Sequence, residues 1–444
     1  MDLASLIADQ NPWWSVPQTR LLRHLSERRD LFQRLQSAIG TSAQNRAQVV
    51  LGPRQVGKST LLLQLVDALL EGEVPAPNVT FFDFSDDRLD SRSLSPREVV
   101  DLPPPGVSAM GPRFFFFDEI TWARPGWDRW LKQAVDASRR SGSPGNARFV
   151  VTSSSASLLR DASLESGQGR WDSHFLEGLT FAEYRRLAPP RPEQVLAYLR
   201  SGGYPGQLWE EDLAQARKRL REDIIDRAIL HDLLIHEVDV ARVKSLFTFL
   251  VRMSGSQWEA GNRARDLDAD PRTASQWLRL LEQTGLVTLL PRWTPGTGGR
   301  PGRASSELRQ HPKVYASDHA LLLAFVANAT DDPAVQGRLF ETAVYRHLRS
   351  LPGEEDHIAY YRADDRYEID FVVSVGGAWV GVEVTSAKTV DGRKLARLVD
   401  AGARMGAKRL ILIHGGLEAG ETKGVRVISL YRFLEDPEAA LGAG

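Results

Sequence analysis

The sequence predicts an α/β protein built on a parallel sheet wrapped in helices. Three observations predict it. A glycine-framed loop, Gly52-Pro53-Arg54-Gln55-Val56-Gly57-Lys58-Ser59, joins the apolar run Ala47-Gln48-Val49-Val50-Leu51 to a helical stretch that opens at Thr60. Apolar runs at Gln48–Leu51, Val79–Phe84, Arg113–Phe117 and Arg148–Thr152 alternate with helical stretches, the rhythm of buried parallel strands. The third run ends in two carboxylates, Asp118 and Glu119, where a parallel sheet presents its sites.

At 444 residues, with 42 % hydrophobic and 25 % charged, the chain is ordinary globular protein with room for about three domains. A net charge of −1 points to no partner class, so charge must be read locally. No cysteine is present, which excludes disulfides, thiol catalysis and cysteine-ligated zinc and leads us to expect a reducing compartment. The sequence has neither a long apolar span nor a secretory leader, so a soluble cytoplasmic protein without a membrane partner is expected.

Residues 1–46 form a mixed-charge arm that reads as helix from Thr19 to Ile39. Its Trp13 and Trp14 suit docking onto the arm's own domain or a neighbouring subunit better than stacking on a base.

Residues 47–190 read as the motor. The spacing G-x-x-x-x-G-K-S is a phosphate-binding loop, and each position has a reason. Gly52 and Gly57 permit close backbone approach, so the N–H groups of Pro53-flanked Arg54, Gln55 and Val56 can turn inward. The helix start through Lys58, Ser59 and Thr60 adds unpaired N–H groups and a positive dipole end. Lys58 would reach the β- and γ-phosphates of ATP, and Ser59 would offer its hydroxyl to Mg²⁺. Asp118 is the second candidate for Mg²⁺, and Glu119 is the candidate general base for the attacking water. Thr152-Ser153-Ser154-Ser155 closes the fourth strand with hydroxyls, of which Ser153 is assigned to the nucleotide. Ring ATPases draw an arginine from the next subunit. Arg170 is the candidate, with Arg139 and Arg140 as rivals.

Gly52–Ser59, Phe114–Glu119, Thr152–Ser155, Gly169-Arg170 and Leu179-Thr180-Phe181-Ala182-Glu183-Tyr184 succeed one another along the chain. With Gly202-Gly203-Tyr204-Pro205 and Lys313-Val314-Tyr315-Ala316-Ser317-Asp318, this order resembles the prokaryotic AAA-type ATPases that end in a C-terminal domain of unknown function. The resemblance implies an AAA+ P-loop ATPase domain, a winged-helix module and a C-terminal domain similar to PD-(D/E)XK restriction-endonuclease-like nucleases.

Residues 191–315 read as helices followed by a winged helix. Helix, short helix, helix and strand follow one another between Ser245 and Pro291, with a possible wing over Arg292–Arg303. From 240 to 315 there are 12 Lys/Arg against 6 Asp/Glu. Arg272, Arg279, Arg300 and Arg303 are the candidates for DNA phosphate contact.

Residues 316–444 read α-β-β-β-α-β: a helix around Leu339–Tyr345, a hairpin turning at Gly376-Gly377, a helix Gly392–Met405 and strands at Arg409–His414 and Val425–Leu430. The nuclease-like resemblance implies Mg²⁺ ligands at Asp370 and Glu383, with Glu341 as a third. It also implies a lysine two residues after Glu383. That position is Thr385, with Lys388 three residues beyond. An uncharged hydroxyl cannot stabilise developing negative charge as an ammonium does.

The expected function is an ATP-dependent AAA+ motor on duplex or branched DNA. It would work as a ring, as a hexamer, in translocation or Holliday-junction branch migration during recombination and repair. The alternatives are a Mg²⁺-dependent DNA nuclease gated by ATP, and a signalling or defence NTPase that binds protein partners.

Overall fold

The structure, a computed structural model, describes residues 2–22, 25–40, 45–88, 93–104, 111–140, 146–154, 169–189, 193–224, 229, 238–293, 311–326, 332–351, 358–364 and 367–442. The chain forms two compact units, residues 1–177 with 283–285, and residues 178–282 with 286–444. The first compact unit runs to Glu177 and takes in residues 283–285 as well. The winged-helix module and the C-terminal domain share the second unit.

The first unit is built on five parallel strands. They are β1 (Ala47–Leu51), β2 (Val79–Asp83), β3 (Arg113–Asp118), β4 (Ala147–Ser153) and β5 (Trp171–Phe175), in spatial order β2-β3-β4-β1-β5. Phe114 to Phe117 on β3 are all buried, as a strand covered on both faces requires. The sequence reading lacks β5. Only Trp171 is buried in Trp171-Asp172-Ser173-His174-Phe175, so no apolar run marks this edge strand, which pairs with β1 from Ala47↔Trp171 to Leu51↔Phe175.

The helices of this unit are α1 (Leu3–Gln10), α2 (Leu31–Gly40), α3 (Lys58–Glu71), α4 (Pro96–Val100) and α5 (Trp127–Ser138). The helix expected from Thr19 to Ile39 is therefore confined to α2. Side chains of α3 satisfy the preceding backbone instead. Asp67 accepts from the N–H groups of Leu21 and Leu22, and Gln64 donates to the carbonyls of Leu25 and Glu27. With partners outside the segment, its backbone has no need of helical bonds.

The arm also closes the open edge of the sheet. Asn11 donates to the Phe81 carbonyl at 2.8 Å and accepts from the Phe81 N–H at 2.7 Å, while Gln10 accepts from Asp83 N–H. Trp13 and Trp14 both donate their indole N–H to the carbonyl of Val79. Four side chains thus occupy the hydrogen-bonding positions that a sixth strand would fill. The tryptophan pair docks the arm onto its own domain.

In the second unit, α6 (Phe181–Leu187), α7 (Gln194–Ser201) and α8 (Leu213–Asp223) precede the winged helix. That module comprises α9 (Val240–Arg252), β6 (Ser256–Gln257), α10 (Ala260–Asp266), α11 (Pro271–Gln283), β7 (Val287–Leu290) and β8 (Lys313–Ala316), with sheet order β6-β8-β7. Ala274, Trp277, Leu278 and Leu281 bury one face of α11. The expected wing residues Arg300 and Arg303 lie outside the described residues.

Next come α12 (His319–Phe325), α13 (Pro333–Leu348), β9 (Ile358–Asp364), β10 (Tyr367–Val375), β11 (Ala378–Thr385), α14 (Gly392–Met405), β12 (Arg409–His414), β13 (Gly420–Thr422), β14 (Val425–Ser429), α15 (Leu430–Glu435) and α16 (Pro437–Leu441). The six strands run β13-β14-β12-β11-β10-β9, with β11, β12 and β14 parallel and the β10–β11 hairpin antiparallel. Leu395, Leu398, Ala401 and Met405 of α14 pack with Ile369, Val372 and Leu412. Two sequence landmarks meet in this unit. Asp318 caps α12 and accepts from Gly203 N–H at 2.9 Å with the same oxygen that accepts from Ala320.

Asn11 is fully buried, so Asn11→Ala strands both polar groups of Phe81 without water. A loss of about 2–4 kcal/mol in denaturant unfolding of the first unit is expected. An unfolding midpoint equal to that of the parent protein would contradict this role.

Candidate nucleotide-binding site

The phosphate loop follows the carboxyl end of β1. Gly52 has φ 156°, and a Cβ there would stand 2.0 Å from the carbonyl oxygen of Leu176. Gly57 has φ 93°, which lets the chain turn from the loop into α3 without a side-chain penalty. Pro53, Val56 and Lys58 are buried, Arg54, Gly57 and Thr60 half-buried, and Gln55 and Ser59 exposed. Behind the loop the arm supplies Arg29, which donates to the carbonyls of Val56 at 2.8 Å and Glu177 at 2.9 Å. The sequence reading lacks Arg29, whose neighbours carry no motif.

The Lys58 ammonium donates to the carbonyls of Gly52 and Pro53, each at 3.0 Å, and stands 3.3 Å from Glu119 Oε1. Loop, lysine and carboxylate thus converge on one point. Glu119 has φ 47° at the end of β3, which turns its carboxylate toward β4. There its other oxygen accepts from the N–H and hydroxyl of Ser154 at 2.9 and 2.8 Å. Burial pushes the Glu119 carboxyl up, but Lys58, the two Ser154 bonds and Arg54 outweigh it and leave the group below its usual range.

Asp118 is buried and accepts from the hydroxyl of Thr152, which also accepts from Glu119 N–H. Burial first, then the charges of Glu119 and Asp83, raise its carboxyl to about 6, against the hydrogen bonds from Ser59 and Thr152. Ser59 and Asp118 together present hard oxygen donors at the helix start and the strand end, a donor set that suits Mg²⁺. Ser153, assigned to the nucleotide, shares a hydrogen bond with Thr121. Ser154 is the residue that holds Glu119, and Ser155 lies outside the described residues. Arg170 precedes β5, at the opposite end of the sheet from the phosphate loop, and its Nε lies 3.0 Å from both Asp136 oxygens. Its rival Arg139 donates to the carbonyls of Asn45 and Gly169.

Of the phosphate-contact candidates in the second unit, Arg272 is exposed and Arg279 half-buried on α11. Much of the local positive charge serves internal contacts. Arg242 and Arg263 pair with Asp268 and Asp266, and Arg252 and Arg292 donate to the carbonyls of Phe325 and Arg362.

A second set of carboxylates gathers around Glu341, Asp370 and Glu383. A β-bulge in β10 sets Asp370 and Phe371 against the single residue Tyr360 of β9, between the pairs Ile369↔Tyr361 and Val372↔Ala359. Phe371 stacks on Tyr345 of α13, the helix that carries Glu341. Asp370 Oδ2 accepts from Val384 N–H at 3.0 Å. Two lysines enter the group, Lys313 from the quoted landmark, to which the sequence reading gave no role here, and Lys394, which it lacks. Lys313 Nζ lies 2.8 Å from Glu368, 3.4 Å from Glu341 and 3.4 Å from Asp370, and Lys394 Nζ lies 3.1 Å from Glu383. The expected substitutes for the missing lysine do not take part. Thr385 accepts from Ala387 N–H, and Lys388 is exposed beside Leu417 and Tyr431 in a separate groove. Among the described residues no three acidic or histidine side chains are arranged to hold a metal ion.

Residues 44–185 match the family model of an AAA domain. Residues 192–332 and 336–433 match two domains of unknown function, DUF8612 and DUF4143. An uncharacterized protein of Mycobacterium tuberculosis is 28 % identical over 414 residues, covering 90 % of this chain and 83 % of its own length. An uncharacterized protein of Methanocaldococcus jannaschii is 21 % identical over 343 residues, covering 74 % and 72 %. Among solved structures, the Aeropyrum pernix ORC2 protein overlaps with a TM-score of 0.40 at 11 % identity, covering 72 % of this chain and 95 % of that one. A Thermotoga maritima RuvB overlaps with a TM-score of 0.32 at 15 % identity, covering 66 % and 98 %. Overlaps of that size carry no argument about activity. Among the described residues no helix is long and apolar enough to cross a membrane.

Because the folded Asp118 carboxyl titrates near 6 rather than 3.8, the native state favours its neutral form. Its stabilising contribution is present at low pH and is lost as pH rises through 6. At about 1.36 kcal/mol per unit, ionised Asp118 costs the nucleotide-free protein about 3 kcal/mol at pH 8 and about half of that at pH 5. Asp118→Asn is therefore expected to raise the unfolding midpoint of the first unit, more at pH 8 than at pH 5. A gain independent of pH, or a loss, would refute the assignment.

Proposed function

We propose that this chain, whose residues 44–185 are an AAA-type P-loop ATPase domain, hydrolyses ATP and couples turnover to DNA held by its winged helix. The observation that carries the reading is the convergence of Lys58, the loop carbonyls and Glu119 at one point. In the nucleotide-free arrangement Lys58 satisfies its charge on Gly52, Pro53 and Glu119. A triphosphate would draw the ammonium onto its β- and γ-oxygens. Glu119 then loses the neighbour that most lowers its carboxyl, gains basicity, and stays aimed through its two Ser154 bonds at the position of the attacking water.

Ser59 and Asp118 would hold Mg²⁺, which when bound neutralises charge on the phosphates. Asp118 must be ionised for that task, so turnover is expected to fall as pH drops below about 6. Arg170 lies at the far end of the sheet from its own loop, out of reach of its own site, and is proposed as the arginine supplied to a neighbouring copy. In the proposed ring Arg170 would leave Asp136 to reach the adjoining site.

DNA is the partner proposed for α11, whose exposed Arg272 and half-buried Arg279 lie on the helix that a winged helix lays in the major groove. Because much of the remaining charge in this module serves internal contacts, few phosphate contacts and a shallow salt dependence are expected. A protein partner on the same helix is the competing reading.

The test is steady-state ATP hydrolysis without DNA, with linear duplex and with a four-way junction. Lys58→Ala is expected to abolish turnover. Glu119→Gln is expected to bind ATP and lower turnover by about 10²–10⁴-fold, as loss of a general base does. Parent-like hydrolysis by either variant would remove the site assignment. DNA should stimulate the parent protein, and Arg272→Glu with Arg279→Glu should erase the stimulation while leaving basal turnover intact. Turnover indifferent to every DNA would leave the ATPase standing and transfer α11 to a protein partner.

A further inference from the structure

The carboxylate group of the second unit has the composition of a divalent-cation site and a different occupant. Lys313 opens β8 of the winged-helix sheet, and its side chain is 5 % exposed. Its ammonium is surrounded by Glu368 at 2.8 Å and by Glu341 and Asp370 at 3.4 Å each. Two residues along the same face of β8, the Tyr315 hydroxyl donates to Glu341 Oε1. On the other flank, Lys394 donates to the Val384 carbonyl at 2.9 Å and pairs with Glu383.

A hard divalent cation needs oxygens at about 2.0–2.6 Å from one centre. The oxygens of Glu341 and Asp370 share a centre, and Lys313 Nζ already sits there, with the longer separations of an N–H donor. Burying an ammonium is costly unless it is paired and hydrogen-bonded. Three carboxylates meet that requirement for the ammonium. Access is not the obstacle. A pocket of about 380 Å³ lined by Phe249, Arg263, Arg362, Glu368 and Lys313 leads to this ammonium.

We infer that Lys313 is a tethered cation that occupies the metal position of the Glu341–Asp370 group, so that this nuclease-like sheet takes no divalent ion while β8 is seated. The residues present therefore do not fit a loaded metal site. They fit an ionic clasp that fastens β8 to α13 and β10. Removing the ammonium would leave buried carboxylates facing one another with an open path from solvent, and that arrangement would bind a divalent cation in its place.

Mn²⁺ binding to the full chain without nucleotide, followed by electron paramagnetic resonance, tests this directly. The parent protein should show no Mn²⁺ uptake that Asp370→Asn removes. Lys313→Met should gain one Mn²⁺ with affinity at least tenfold above any site in the parent, and Asp370→Asn in that background should abolish the gain. Lys313→Arg, which keeps the charge, should remain without the new site. Uptake by the parent that is sensitive to Asp370→Asn would overturn the inference whatever the variants do. So would a folded Lys313→Met, judged by circular dichroism and melting, that gains no ion. If Lys313→Met fails to fold, Lys313→Gln replaces it with the same two readings, and the parent measurement still decides alone.

Discussion

A lysine ammonium buried beside carboxylate recurs in each compact unit, Lys58 in the first and Lys313 in the second. In water such a pair is worth little, and in a protein interior each charge alone is costly to desolvate. Once one partner is buried, the others must come to it. Lys58 is 4 % exposed and Glu119 16 %, so the loop carbonyls, Ser154 and Thr152 must be placed to satisfy what water no longer does. The requirement fixes the end of β3 against the end of β4. It also explains why Glu119 adopts a left-handed backbone conformation, which turns its carboxylate back over the site.

The same requirement explains the arm. A parallel sheet of five strands leaves β2 with unpaired backbone groups, and Gln10, Asn11, Trp13 and Trp14 fill them. A few residues later the arm passes along α3, where Asp67 and Gln64 hold it. It then delivers Arg29 to the carbonyl of Val56. One continuous segment therefore seals the sheet edge and braces the phosphate loop.

In the second unit a bulge sets two residues, Asp370 and Phe371, between the α14-facing Ile369 and Val372, so that Asp370 pairs with Lys313 while Phe371 stacks on Tyr345. The landmark Lys313-Val314-Tyr315-Ala316-Ser317-Asp318 also acquires a physical meaning. Lys313 and Tyr315 face the carboxylates, and Asp318 caps α12 while holding Gly203.

The sequence by itself determined the phosphate loop, four of the five strands around it, the carboxylate pair at the end of β3, and the succession of winged helix and nuclease-like sheet. These are written in local spacing and apolar periodicity, which depend on neighbours along the chain. Tertiary structure alone decided what meets what. Arg29 and Lys394 carry no motif, and the motifs that hold Ser154 and Lys313 do not say which carboxylate each meets, because a buried charge is answered by whatever side chain the fold brings near, from any distance in sequence. The edge strand β5 was hidden because an exposed strand needs no apolar run. The helix expected from Thr19 to Ile39 begins only at Leu31, because Asp67 and Gln64 offer the backbone of Leu21, Leu22, Leu25 and Glu27 other partners. And the metal site implied by Glu341, Asp370 and Glu383 turned on a lysine from another sheet, since only the folded chain could place an ammonium where an ion was expected.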